Sequence, residues 1–283
     1  MQRAIKRMIL AAMSTACLVA PASAQAPGKA AVVDLAVRPG VTMRYLALAP
    51  LNPPLAAVIL FTGGPGIANI PDNPDPNWAS RGNFLVRSRE LFRGHRLFVA
   101  VVDAPSDHKS ETGLGHFRVS GEHAADIALL IADVRKRSAG IPVWLVGTSM
   151  GTISAASAAA RLQAPSAADG LVLSSTVTAH PSGKHPPPDV ADGMYSLDLE
   201  AIRVPTLLVY NRADACNRTP PSDVPKLERS LKGAPRVAVV AIDGGDKPIS
   251  DGCGPLDAHG FLGREAAAVT AIADWILQPK PAQ

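Results

Sequence analysis

The segment GTSMG at residues 147–151 has the composition of a turn that presents a nucleophilic serine. It follows the apolar run PVWLVG and precedes TISAASAAARL, a stretch of small residues typical of a helix packed closely on a sheet. A serine on a tight turn between a strand and a helix needs small neighbours, and Gly147 and Gly151 supply them. The N-terminus of that helix also places a positive dipole beside a developing oxyanion. We therefore predict that Ser149 is a catalytic nucleophile; the alternative is a structural turn serine.

A serine of this kind needs a histidine to take its proton and an acid to orient the histidine. In strand–turn–helix sites of this type the three residues follow in the order serine, acid, histidine. Asp214 comes shortly after the apolar run PTLLVY, and His259 is the only histidine beyond residue 185. We predict that Asp214 is the acid and that His259 is the general base. Four other acids fall too late for the expected strand end: Asp243, Asp246, Asp251 and Asp257.

An oxyanion hole requires two backbone N–H groups aimed at one point. Met150, directly after the serine, is predicted to supply one of them. The other is expected from FTGGPG at residues 61–66, where glycine lets the backbone approach a bound carbonyl group closely. Gly64 is our predicted donor, with Gly63 as its neighbouring alternative. A plain tight turn would use the same residues.

The elements that position these residues can be predicted from hydrophobic patterning. Runs rich in Val, Ile and Leu predict eight strands, and the later runs are nearly continuous, as in strands covered on both faces. The strands are predicted at 31–37, 41–48, 57–62, 96–103, 142–147, 170–175, 205–210 and 236–242. Helices are predicted at 83–92, 122–137, 152–162, 224–231 and 265–277. The first two strands should pair as a hairpin, and the rest alternate with helices, which predicts an α/β fold with a mostly parallel, doubly wound sheet.

These motifs and this order of elements resemble the α/β-hydrolase superfamily over residues 31–278. TGGPG is similar to the HGGPG loop of prolyl aminopeptidase relatives, with Thr62 in place of the histidine. Those relatives carry a large helical cap between the sixth and seventh strands. The corresponding interval from Thr176 to Val204 has 29 residues and is rich in proline, so we expect a short or absent cap. The resemblance implies a serine hydrolase, and the short interval favours a carboxylic ester hydrolase.

Three classes of function remain open at this point. The first is an esterase that cleaves a small or medium ester through an acyl-enzyme on Ser149. The second is a peptidase or amidase of the prolyl aminopeptidase type, which would need an element that recognises the substrate amine. The third is a non-catalytic binding protein on a hydrolase fold, which usually lacks one member of the triad, whereas this chain has a candidate for each.

Residues 1–24 have the pattern of a secretory signal peptide: a basic start, a short apolar stretch and the small residues Ala22-Ser23-Ala24. We expect cleavage after Ala24, export to the periplasm or the medium, and a single domain over residues 25–283. The apolar stretch is short for a membrane span, so no stable insertion is expected after cleavage. Loss of three basic residues with the leader lowers the net charge from +4 to about +1. A mature chain so close to neutral does not suggest nucleic acid binding.

Cys216 and Cys253 remain after Cys17 leaves with the leader. Two cysteines in an exported chain predict one disulfide, with a pair of free thiols as the alternative. That bond would join the loop of the predicted acid to the loop of the predicted histidine.

No glycine-rich phosphate loop follows a strand, and the other histidines lack metal-ligand spacing, so we predict neither cofactor nor metal. The expected partner is a small-molecule ester, and the sequence gives no indication of an oligomeric state. Arg87 and Arg89 fall on a charged helix face and are predicted to be solvated.

Overall fold

An eight-stranded sheet with helices on both faces forms the centre of the molecule. The computed structural model describes residues 25–75, 77–78, 82–178 and 193–278. The strands are β1 (Ala30–Arg38), β2 (Val41–Leu48), β3 (Ala56–Phe61), β4 (Leu97–Pro105), β5 (Val143–Ser149), β6 (Gly170–Thr176), β7 (Thr206–Asn211) and β8 (Val237–Ile242). The α-helices are α1 (Phe84–Arg87), α2 (Arg89–Gly94), α3 (Gly121–Arg137), α4 (Gly151–Arg161), α5 (Val224–Ser230) and α6 (Glu265–Leu277).

The strands lie in the order β1-β2-β4-β3-β5-β6-β7-β8. β1 pairs antiparallel with β2, and β2 pairs antiparallel with β4. Every later pair in the sheet is parallel. The predicted α/β architecture, the N-terminal hairpin and the mostly parallel sheet are therefore confirmed.

Burial along the strands follows their place in the sheet. All six residues of β3 are buried, as are all residues of β4 and β6, because helices cover both faces of these strands. β1 and β8 at the two edges are mostly half-exposed. The strands that lead into the predicted site are thus the rigid interior of the sheet.

Two apolar cores fill the space between the sheet and its helices. On one face, Ile127 of α3 and Ile153 of α4 pack against the sheet and are fully buried. On the other face, Phe92 of α2 and Ile272 of α6 do the same. Burial of a side chain of this size stabilises the fold by roughly 1.5–3 kcal/mol. The sheet is therefore held from both sides.

The helix predicted at 83–92 is in fact two helices, with the buried Ser88 between them. The Arg89 guanidinium donates to the carbonyl of Val86. In a continuous helix that carbonyl would accept a backbone N–H hydrogen bond instead. The prediction that Arg87 and Arg89 are solvated is also wrong. The Arg87 side chain is 7% exposed and Arg89 is 3% exposed, because their guanidinium groups satisfy backbone carbonyls.

Residues 1–24, where the leader is predicted, lie outside the described part of the chain. In the part that is described, none of the helices combines the length and the apolar composition needed to cross a membrane.

His123 on α3 is a fully buried histidine. Neither of its ring nitrogens has a hydrogen-bond partner among the described residues. Burial lowers the pKa of His123 to about 3, and the positive charge of Arg118 acts in the same direction. The folded state therefore holds a neutral ring.

His123 should make the protein sensitive to acid. Its pKa is lower in the folded than in the unfolded state, so its contribution to stability is full above about pH 6.5 and is lost as the pH falls toward about 3. We expect His123→Leu to reduce the fall in Tm between neutral pH and pH 4, measured by thermal unfolding. His95→Leu, at a partly exposed position, is the control. Parallel loss of Tm in the His123 variant and the wild type would contradict this.

Candidate active site

Ser149 lies at the end of β5, on a turn that leads directly into α4. Its φ is +51°, in the left-handed region that side-chain-bearing residues seldom adopt. A Cβ on Gly147 would lie 2.6 Å from the carbonyl oxygen of Gly151, and a Cβ on Gly151 would lie 2.2 Å from that of Phe61. Both distances are prohibitive, so this turn requires glycine on each side of the serine.

The loop after β3 lies against this turn. A hydrogen bond of 3.1 Å from the Gly66 N–H to the Gly63 carbonyl closes the loop. A Cβ on Gly63 would lie 2.9 Å from the Cβ of Ser149, which shows how closely the loop approaches the serine. The N–H groups of Gly64 and Met150, the two predicted oxyanion donors, donate to no acceptor among the described residues. The structure thus brings both beside Ser149 with their donors free.

Arg118 supports the same loop from beneath. Its Nη2 donates to the Gly64 carbonyl at 2.8 Å, and its Nη1 donates to Ser154 Oγ of α4 at the same distance. A Cβ on Gly66 would lie 2.7 Å from Nη2, so glycine makes room for the guanidinium. Arg118 is fully buried, and burial lowers its pKa to about 9. This link between the oxyanion loop and the serine helix has no counterpart in the sequence analysis.

Asp214 and His259 are hydrogen-bonded in the structure. Asp214 follows β7 on a turn, and its Oδ2 lies 3.1 Å from Nδ1 of His259. Its other carboxylate oxygen accepts from the Cys216 N–H at 3.0 Å. The two side chains are 0% and 6% exposed, which excludes competing water. The sequence-predicted acid and histidine are therefore adjacent and fixed.

Thr219 is a third member of this group that the sequence analysis did not identify. Its hydroxyl donates to Asp214 Oδ2 at 2.9 Å and lies 3.1 Å from His259 Nδ1. Because that hydroxyl proton goes to the carboxylate, its oxygen is free to accept from Nδ1–H. Both contacts favour the tautomer protonated on Nδ1, which leaves Nε2 to accept a proton. Thr219 lies in a proline-rich loop, and only its fold-dependent proximity to Asp214 identifies it.

The turn that carries His259 is held from two further directions. Ser175 Oγ donates to the His259 carbonyl at 2.8 Å. Arg87 donates through Nη2 to the Gly260 carbonyl and through Nε to Glu265 at 3.0 Å. The arginine predicted to be solvated thus ties the histidine turn to α1 and α6.

Ser149 and His259 line one cavity of about 220 Å³. The described walls also include Asn83, Phe84 and Pro255, and they carry no Asp, Glu, Lys or Arg. No hydrogen bond joins Ser149 Oγ to His259 in this arrangement; such contacts commonly tighten only when substrate binds. The cavity therefore combines a serine, an oriented imidazole and the loop of Gly64 within uncharged walls.

Cys216 and Cys253 lie at the edge of this cavity. The structure pairs the two cysteines of the predicted disulfide. Cys253 lines the cavity, and Cys216 holds Asp214 through its N–H group. Elsewhere, the described residues contain no group of His, Cys, Asp and Glu that could hold a metal ion.

The Thr219 hydroxyl should affect the histidine rather than the stability of the sheet. We expect Thr219→Val to slow modification of Ser149 by a fluorophosphonate about tenfold, because Nδ1–H loses one of its two acceptors; this corresponds to about 1.4 kcal/mol. Thr206→Val on β7 is the control, since the Thr206 hydroxyl donates to the nearby Val204 carbonyl and is not part of the Asp214–His259 group. Equal labelling rates in the two variants would show that Thr219 has no part in orienting the ring.

Comparison with known proteins gives one family match. The model described as serine aminopeptidase, S33, matches residues 99–194, about a third of the chain, which include Ser149 but neither Asp214 nor His259. Comparison with curated protein sequences gives no significant match.

Several solved structures are similar over most of the chain. The carboxylesterase EstE1, cloned from a metagenomic library, is 18% identical, with a TM-score of 0.55 over 91% of this chain and 92% of that one. Dienelactone hydrolase from Anabaena variabilis is 18% identical, with a TM-score of 0.54 over 88% and 95%. A serine hydrolase without a lid from Xanthomonas campestris is 14% identical, with a TM-score of 0.55 over 92% and 99%.

Identities this low establish the fold and not the reaction. The chain therefore has the α/β-hydrolase fold.

Proposed function

We propose that this protein is a carboxylic ester hydrolase that cleaves small or medium esters through an acyl-enzyme on Ser149. The observation that carries the proposal is the buried Asp214–His259 hydrogen bond, with His259 lining the same cavity as Ser149. A serine, an oriented imidazole and a buried carboxylate together can activate a hydroxyl group.

The reaction proceeds in two halves. His259 Nε2 takes the proton of Ser149 as the serine oxygen attacks the ester carbonyl, and Asp214 stabilises the imidazolium. The N–H groups of Gly64 and Met150 stabilise the negative oxygen of the tetrahedral intermediate. Collapse of the intermediate breaks the bond to the alcohol oxygen, which leaves with the proton from His259. Water then attacks the acyl-enzyme by the same route, releasing the acid and restoring Ser149.

The cavity supports a small, uncharged substrate. Its volume of about 220 Å³ is at the low end for a ligand site, and its described walls carry no charged side chain apart from the imidazole of His259 when protonated. Burial of a charged group there would lack compensation. The carboxylesterase and the dienelactone hydrolase among the structural neighbours act on esters or lactones by their names, which supports the same class of reaction.

The match to the S33 serine aminopeptidase family favours a second candidate, an aminopeptidase with the same triad. Such an enzyme must bind the protonated amino group of its substrate, which calls for a carboxylate near Ser149. The described cavity walls contain no Asp or Glu. We therefore rank ester hydrolysis first.

Ser149 should be the residue that a fluorophosphonate modifies, and Ser149→Ala should lower kcat for a p-nitrophenyl ester by about 10⁴-fold or more. Ser157→Ala is the matched control, because Ser157 is buried on α4 and its hydroxyl has no partner among the described residues. An adduct located on another serine by mass spectrometry, or wild-type turnover in the Ser149 variant, would refute the assignment.

The same preparation distinguishes the two reactions. We expect p-nitrophenyl butyrate to be cleaved far faster than proline p-nitroanilide, because the described site offers no group to bind the amine of the second substrate. Faster cleavage of the anilide would place the aminopeptidase first.

We further propose that residues 1–24 direct export and are removed, and that Cys216 and Cys253 form a disulfide in the mature protein. The pairing of the two cysteines in the structure, beside the acid loop, supports the bond. The bond would clamp the loop of Asp214 to the segment that leads to His259.

Loss of this bond should affect both stability and rate. Cys216→Ser combined with Cys253→Ser should lower Tm. In the chain-entropy model, a cross-link between residues 37 positions apart stabilises the folded state by about 4 kcal/mol. It should also lower kcat, because the cysteine that holds Asp214 loses its anchor and the imidazole loses alignment. Unfolding curves and ester assays measure the two effects. Two titratable thiols in protein purified under oxidising conditions would disprove the bond.

A further inference from the structure

Asn83 is a polar residue that lines the cavity, and its side-chain amide has both an acceptor oxygen and a donor nitrogen. It precedes α1, and its Oδ1 accepts from the Leu85 N–H at 3.1 Å. This is the contact of an N-cap residue, which satisfies a backbone donor at the start of a helix. The cap uses only the oxygen of the amide.

The cap also fixes which way the amide nitrogen faces. Since Oδ1 must meet the Leu85 N–H, Nδ2 occupies the other position of the planar amide. Nδ2 lies 3.4 Å from the place where a Cβ on Gly63 would be, and that place is 2.9 Å from the Cβ of Ser149. Asn83, Gly63 and Ser149 all line the cavity. The nitrogen is therefore close to the serine and on the side of the oxyanion loop.

No described residue accepts a hydrogen bond from Nδ2, although Asn83 is half-buried. An amide held in one orientation beside a cavity, with its donors unused, is preorganised to bind an acceptor. The other described side chains of the cavity include no amide, lysine or arginine. Asn83 therefore supplies the amide donor among the described side chains of the cavity.

We propose that Asn83 Nδ2 donates a hydrogen bond to the carbonyl oxygen of the bound ester as negative charge develops on it, beside the N–H groups of Gly64 and Met150. This inference rests on the proposed function. It makes Asn83 a catalytic residue as well as a helix cap, and it assigns a side-chain donor to an oxyanion hole otherwise built from backbone.

Capping and catalysis can be separated because they use different atoms. Serine and aspartate cap helices about as well as asparagine, since each offers an oxygen acceptor. Neither offers the amide nitrogen. Asn83→Ser and Asn83→Asp should therefore keep the cap and lose the amide N–H groups. The carboxylate of Asn83→Asp should also repel the negative charge of the oxyanion.

The test compares these variants in ester hydrolysis and in the rate of Ser149 phosphonylation by a fluorophosphonate, whose phosphoryl oxygen occupies the oxyanion position. We expect Asn83→Ser to lower kcat by about 10²-fold, equally for p-nitrophenyl acetate and butyrate, with little change in KM or Tm. Asn83→Asp should lose more. Ser120→Ala, which removes the cap of α3 far from the cavity, is the control and should lower Tm without lowering kcat.

Wild-type kcat and labelling rate in Asn83→Ser would overturn the inference, as would a loss confined to KM. Ser149→Ala, measured in parallel, keeps the two proposals distinct. If it retains ester hydrolysis, the proposed function fails, whereas an inactive Ser149 variant beside a fully active Asn83→Ser variant rejects only the role of Asn83. The labelling rate decides the role of Asn83 even if neither ester is turned over.

Discussion

The close approach of Gly151 to the end of β3 is the contact on which the site depends. The backbone of α4 comes so near that a Cβ on Gly151 would lie 2.2 Å from the Phe61 carbonyl oxygen. This approach places the helix N-terminus, the serine and the loop after β3 at one point. A side chain there would separate Ser149 from the loop of Gly64, the proposed oxyanion donor. Since neighbouring parallel strands β3 and β5 deliver both segments, the sheet sets their distance and glycine permits it.

Two buried arginines stabilise the irregular segments around this contact. Arg118 joins the oxyanion loop to α4, and Arg87 joins the histidine turn to α1 and α6. Loops rich in glycine leave carbonyl groups without partners from regular structure, and a guanidinium can satisfy several of them in one plane. Burying a charge costs free energy, so the two guanidinium groups fix the geometry of the loops and reduce the free energy of unfolding. The site is rigid because its loops are bonded to helices as well as to strands.

Sequence reasoning reached the strands, most helices and the three residues Ser149, Asp214 and His259, because hydrophobic period, chain order and glycine spacing are local properties. It missed Thr219 and Arg118, whose contacts join segments far apart in the chain. It also predicted solvated arginines where the fold buries them. In a sequence, an arginine next to other charged residues predicts an exposed position. These arginines are buried because the fold places backbone carbonyl acceptors around them, and the sequence pattern does not show those acceptors. The break between α1 and α2 was missed for the same reason, because the Arg89 side chain donates to the Val86 carbonyl that a continuous helix would use for a backbone hydrogen bond.

The position of β3 between β4 and β5 has a consequence for how the chain assembles. β3 precedes both of its neighbours in sequence, so neither of its edges can pair until residues beyond 97 and 143 have formed strands. The loop of Gly64, the proposed oxyanion donor, therefore has no fixed place in any shorter N-terminal fragment. The acid and histidine come later still, from beyond β7 and β8. Pairing of strands so far apart in sequence closes large loops. The chain loses conformational entropy in this step before the new contacts compensate for the loss. We accordingly expect the geometry of the proposed site to form late in folding, when nearly the whole sheet is in place.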